Sequence, residues 1–199
     1  MKKVILLIDA GYLQNILRDD QIICDADAIV NIAHACVIAN EELHKIMYYD
    51  CNAFDPIDRK TGKPHTYLTN KDAEYNWIKK ENTLIAVLEQ KDLFAIRLGV
   101  LKFDGWNAKG KPTFRQKGVD MRIGLDMAHL AHQNVVDRII LITGDTDFIP
   151  AMKYVRKSGI QIVLTELSKK RLSPELTTHA DFVRSINLKK LGLMPFKRK

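Results

Sequence analysis

Five short apolar runs, each the length of one β-strand, constrain this chain more than any other feature. They cover residues 4–8, 45–49, 94–101, 138–143 and 160–164. Val4, Ile5, Leu6, Leu7 and Ile8 follow one another with no polar alternation, so a strand built from them has both faces covered. Between the runs lie helix-like patterns at roughly 12–18 with 26–39, 71–90, 119–133, 147–157 and 174–180. This alternation predicts an α/β fold, a doubly wound and mainly parallel central sheet flanked by helices. A chain of 199 residues accommodates one such domain, expected over 1–190, with a frayed basic tail at 191–199. Two stretches break the pattern. Residues 52–69 and 104–117, rich in Gly, Pro and Lys, read as long loops, the kind that carry function or move.

Ligands of doubly wound sheets gather beyond the carboxyl ends of the strands, so residues just after the apolar runs matter most. Asp9 closes the first run, and Asp145 and Asp147 follow the 138–143 run. Asp120 opens the helix that begins after the 104–117 stretch. All four are expected on one edge of the sheet. Carboxylates gathered there repel one another unless protons or cations neutralise them, and hard ions such as Mg²⁺ or Mn²⁺ take oxygen ligands of this type. Asp126 lies six residues beyond Asp120 and borders the apolar stripe of the same helix. Two readings of it stand: a candidate ligand or support behind the acidic cluster, or a buried ion pair with a structural role.

These negative groups occur in a positive chain. Lys and Arg number 31 against 24 Asp and Glu, a net charge of +7. Such an excess fits an anionic partner, nucleic acid first and an anionic membrane surface second. Lys109, Lys111, Arg115 and Lys117, with Arg122 nearby, are placed to hold a strand that bare carboxylates would repel. Trp106 is the better candidate to stack on unpaired bases, with Tyr12 and Tyr49 behind it. The three cysteines form no C-x-x-C pair, and His129 and His132 lack a carboxylate or thiol at ligand spacing. The first apolar run is too short for a signal peptide and no run is long enough for a membrane helix, so the protein reads as cytoplasmic. A homodimer is compatible with a chain this small.

The segments Val4 to Gly11 with Asn15, Tyr48-Tyr49-Asp50, Lys117-Gly118-Val119-Asp120 and Leu125-Asp126-Met127 together resemble the NYN-domain family of the PIN-like nuclease superfamily. The best match is Ile142 to Pro150, followed by Arg156 to Gly159 and then Ala180-Asp181-Phe182. The resemblance spans roughly residues 3–190. It implies a PIN-like sheet and Mg²⁺- or Mn²⁺-dependent ribonuclease chemistry, with Asp9, Asp120, Asp145 and Asp147 as acidic metal ligands. It also implies that Asn15 and Thr143 are polar groups near the site. Ala10 and Tyr12 depart from the family's more usual Gly and Asn.

Metal-assisted hydrolysis of an RNA phosphodiester is the reaction these readings converge on. A phosphatase with Asp-x-Asp after its first strand does not fit, because position 11 is Gly, and no G-x-x-x-x-G-K-[ST] loop is present. The rival reading is a non-catalytic RNA-binding regulatory module with the same fold.

Overall fold

The computed structural model describes residues 1–52, 54, 61, 63, 65, 83–108 and 112–196. Its elements, in chain order, are β1 (Lys2–Asp9), α1 (Ala10–Asp19), α2 (Ala26–Ala35), β2 (Glu41–Cys51), α3 (Thr83–Leu88), β3 (Phe94–Trp106) and β4 (Pro112–Lys117). Then follow α4 (Val119–Gln133), β5 (Arg138–Ile142), a 3-10 turn at Thr146–Phe148, α5 (Ile149–Lys157), β6 (Gln161–Leu167), α6 (Pro174–Thr178), β7 (Phe182–Ile186) and a 3-10 turn at Leu188–Leu191. Among the described residues the strands form one sheet in the order β4-β3-β2-β1-β5-β6-β7. Every neighbouring pair is parallel except β3 with β4.

The apolar run of β1 explains its central place. Ile5 and Leu7 face one core layer with α4 and α5, while Val4, Leu6 and Ile8 face the other with α1 and α2. Helices therefore cover both faces, as the lack of polar alternation requires. The order of the strands reverses direction between β1 and β5, and the carboxyl ends of these two central strands carry Asp9 and the Thr143–Asp147 turn.

Two strands escape the sequence reading, and one loop turns out to be ordered. Residues 104–117 are mostly the arms of a β-hairpin: β3 runs on to Trp106, and β4 returns antiparallel with Lys102 opposite Arg115 and Val100 opposite Lys117. Gly105 takes φ +99 where the pairing is irregular, which explains the turn-like composition. β7 follows the short helix α6 and pairs with β6. The 52–69 stretch and the 71–90 helix lie largely outside the described residues, with α3 the described part of the latter. The start of the tail is not frayed. Pro195 bridges Ile22, and the Ile23 amide donates to the Met194 carbonyl. Lys197, Arg198 and Lys199 lie outside the described residues.

Among the described residues no helix is long and apolar enough to cross a membrane.

Candidate active site

Thr143 ties the two central strands together at the carboxyl edge. Its buried hydroxyl donates to Asp9 Oδ2 at 3.2 Å and accepts the Asp145 amide at 3.2 Å. Asp9 is the last residue of β1 and the N-cap of α1, and its Oδ1 accepts the Tyr12 amide at 3.2 Å. Asp145 caps the 3-10 turn by accepting the Asp147 amide at 2.9 Å. Both carboxylates are thus held in place by the backbone they cap. Their capping roles do not use all of their oxygen lone pairs.

Asp120 reaches the same edge from the first turn of α4. Gly99 and Gly118 make this entry possible. A Cβ on Gly99 would stand 2.7 Å from the Lys117 carbonyl oxygen and 2.8 Å from Val119 Cγ2, and Gly118 adopts φ +79. Burial pushes the Asp120 carboxyl above its ordinary value, and the charges of Asp145 and Asp147 add to the shift. Asp9 is likewise raised, first by burial and then by Asp120, against the opposing pull of the Tyr12 and Thr143 hydrogen bonds. Electrostatic coupling therefore links all four residues. Among the described residues, however, no three acidic, His or Cys side chains stand close enough to hold one ion between them.

The other expected site residues divide. Asp126 is a correction to the ligand reading: Arg97 Nε and the Tyr49 hydroxyl donate to its Oδ2 at 2.8 and 2.9 Å, and Arg97 Nη2 donates to its Oδ1. This ion pair fastens α4 to β2 and β3. Tyr49 is fully buried and serves the core, so it does not stack on bases. Asn15 is exposed and accepts a hydrogen bond from Arg18; its neighbour Gln14 turns inward to Asp50 and Tyr48 instead.

Pleating separates the hairpin residues into two sets. Arg115 and Lys117 share one face with Lys102, and Arg115 pairs with Asp104 at 3.1 Å. Phe114 and Gln116 occupy the other face. Gln116 Oε1 lies 3.7 Å, and Asp9 Oδ1 3.4 Å, from the point a Gly11 Cβ would occupy. Gln116, unremarkable in the sequence, is therefore the hairpin residue beside Asp9, while Arg115 and Lys117 point to the opposite face. Arg122 is exposed and donates through Nε to the Leu98 carbonyl at 2.9 Å. Trp106 is 41% exposed and meets Phe103 edge-on at 5.4 Å. Lys109 and Lys111 lie outside the described residues.

Tyr12 occupies the other side of the site. Its ring lies so close to Gly144 that a Cβ there would stand 2.4 Å from Cε2. Lys170 Nζ sits 5.6 Å from the ring centroid. Burial, with the charges of Glu166 and Asp9, pushes the Tyr12 phenol up to about 12, and its buried hydroxyl has no hydrogen-bond partner among the described residues.

Comparison with known proteins bears on the family and the fold. The family model described as the NYN domain matches residues 3–187. The chain belongs to the NYN-domain family. This NYN domain has the PIN-like nuclease fold, a fold of ribonucleases. It is also similar to a crystal structure of a protein of unknown function from Vibrio parahaemolyticus RIMD 2210633. The two are 20% identical, with 97% of this chain and 96% of that chain covered and a TM-score of 0.59, a likeness of fold. No match was found among curated proteins.

Proposed function

We propose that this NYN domain is a metal-dependent ribonuclease that hydrolyses RNA phosphodiester bonds at the Asp9, Asp120, Asp145 and Asp147 cluster. The observation that carries the reading is geometric: the Thr143 hydroxyl joins Asp9 to the Asp145 backbone, Asp145 caps the turn that holds Asp147, and Asp120 reaches the same edge from α4, in a chain whose net charge is +7. A protein that only bound RNA would gain nothing from concentrated negative charge facing phosphates.

The donor chemistry fits Mg²⁺ or Mn²⁺. All four candidates are hard carboxylate oxygens; burial first, and the neighbouring carboxylates second, raise the Asp9 and Asp120 carboxyls, and a bound cation would favour their ionised form. Mg²⁺ is commonly held by one or two carboxylates and keeps several waters. Such an ion, when bound, supplies an activated water and neutralises charge on the phosphoryl oxygens. The chain's own residues do the positioning. Thr143 and the Tyr12 amide fix the Asp9 carboxylate, the Asp147 amide fixes Asp145, and Gln116 offers an amide beside Asp9 to the ribose or phosphate of the strand.

The rival reading is a regulatory module that binds RNA without cutting it. An RNA cleavage assay decides between them. Purified protein is expected to cut RNA with Mg²⁺ or Mn²⁺, to stop in EDTA, and to lose at least a hundredfold in rate as Asp145→Asn. Tight RNA binding with no cleavage in either metal would establish the module instead.

A further inference from the structure

The loop after β6 carries three consecutive cations, Lys169, Lys170 and Arg171, at the same edge of the sheet as the acidic cluster. Its backbone is firmly pinned. Glu166, 5% exposed, accepts the Leu172 amide, the Arg171 guanidinium and the Ser185 hydroxyl at 3.2, 2.6 and 3.0 Å. Ser168 takes φ +56, its amide donates to the Ile186 carbonyl at 2.8 Å, and its hydroxyl bonds Asp20. The Lys170 amide donates to Leu167 at 3.2 Å. A non-glycine residue in the left-handed region is held there only when its surroundings over-determine it.

This fixed loop aims Lys170 at the site. Its ammonium stands over the Tyr12 ring, which also packs close to Gly144, next to Asp145. Arg171 is occupied by Glu166, but among the described residues neither Lys169 nor Lys170 has a carboxylate partner. On the opposite flank the hairpin turns Gln116, not Arg115 or Lys117, toward Asp9. An anionic strand crossing the carboxylates toward β6 therefore meets, among the described residues, the unpaired charges of Lys169 and Lys170 there.

We propose that Lys169 and Lys170 bind the phosphodiester backbone of the RNA next to the nucleotide at the acidic cluster, with Lys170 seated by the Tyr12 ring. The inference rests on RNA being the substrate, and its test is separable from the test of cleavage. Binding of a short labelled single-stranded RNA is measured by anisotropy in EDTA, across about 50–200 mM KCl. Each lost phosphate contact lowers the slope of log K against log salt by about 0.7 on a single strand. Lys169→Gln/Lys170→Gln is expected to lower it by about 1.4, and Lys169→Arg/Lys170→Arg to restore it. Tyr12→Phe should keep the wild-type slope, whereas Tyr12→Leu should lose about half of that difference. A charge-matched control, Lys3→Gln/Lys157→Gln at the opposite edge, should leave the slope unchanged.

A wild-type slope and affinity in the Lys169→Gln/Lys170→Gln protein would overturn the inference while leaving the ribonuclease reading intact. Absence of RNA binding by the wild-type protein would also overturn the inference, and only its combination with absence of cleavage in Mg²⁺ or Mn²⁺ would overturn both.

Discussion

Gly144 offers the sharpest test of how this site is packed. Replacing it with Ala places a Cβ 2.4, 3.0 and 3.1 Å from Cε2, Cδ2 and Cζ of Tyr12. Carbon atoms pack best near 3.5–4.0 Å, so the ring must retreat by about 1 Å. Tyr12 is not free to do so: its amide is bonded to Asp9 and its ring packs against both core layers. Overpacking of this kind costs about 1–3 kcal/mol. The Gly144 backbone is outside the left-handed region, so Ala itself introduces no strain there. It stiffens the unfolded chain instead, a gain of about 0.4–1 kcal/mol. The net loss expected for Gly144→Ala is therefore about 0.5–2 kcal/mol, which urea unfolding followed by circular dichroism resolves. In a Tyr12→Ala background the clash has no partner, and the same substitution should become neutral or stabilising. The double-mutant cycle should close with a coupling of about 1–3 kcal/mol. Equal destabilisation in both backgrounds would refute the packing argument and locate the requirement in the Gly144 backbone. No effect in either would show that the ring yields freely.

Two further predictions concern buried charge. The Glu41 carboxylate, fully buried, accepts from Arg138 and Arg184. Burial works against its ionised form, but the two guanidinium groups outweigh it and hold the carboxyl down at about 2 from 4.5. A folded-state value below the unfolded one stabilises above pH 4.5, here by about 3 kcal/mol, and that contribution fades as pH falls toward 2. Glu41→Gln should be less stable by about 3 kcal/mol at neutral pH and should lack this acid-dependent loss; urea titrations at pH 7 and pH 3 check both, and an identical pH dependence in the two proteins would sink the assignment. Asp126→Asn should cost about 2 kcal/mol by weakening the Arg97 pair, yet leave the cleavage rate of folded protein within a few-fold of wild type. A loss as deep as that of Asp145→Asn would restore the reading of Asp126 as a ligand or support behind the acidic cluster.

How much of this was legible in the sequence follows from the range of the interactions concerned. The unbroken apolar run of β1 demanded cover on both faces, and the parallel sheet supplies it. Asp9, Asp120 and the Asp145–Asp147 turn stood out because each sits where a strand ends or a helix begins, a local property of the chain. The hairpin was hidden because residues 104–117 are rich in Gly, Lys and polar residues around Pro112, a composition shared by strands and loops alike. β7 was hidden because its five residues form a strand only against β6.

Side-chain destinations depended on distant partners. Asp126 met Arg97 rather than the acidic cluster, Gln116 and not Arg115 turned toward Asp9, and Lys170 arrived beside Tyr12 from far along the chain. Gly144 is a matter of space, because the Tyr12 ring fills the place a Cβ would take. Periodicity and capping act over a few residues, so the sequence alone determined the α/β fold class and the positions of its acidic strand ends. Which groups touch, which are neutralised and which are left facing a substrate depended on packing between segments, and only the tertiary structure decided those.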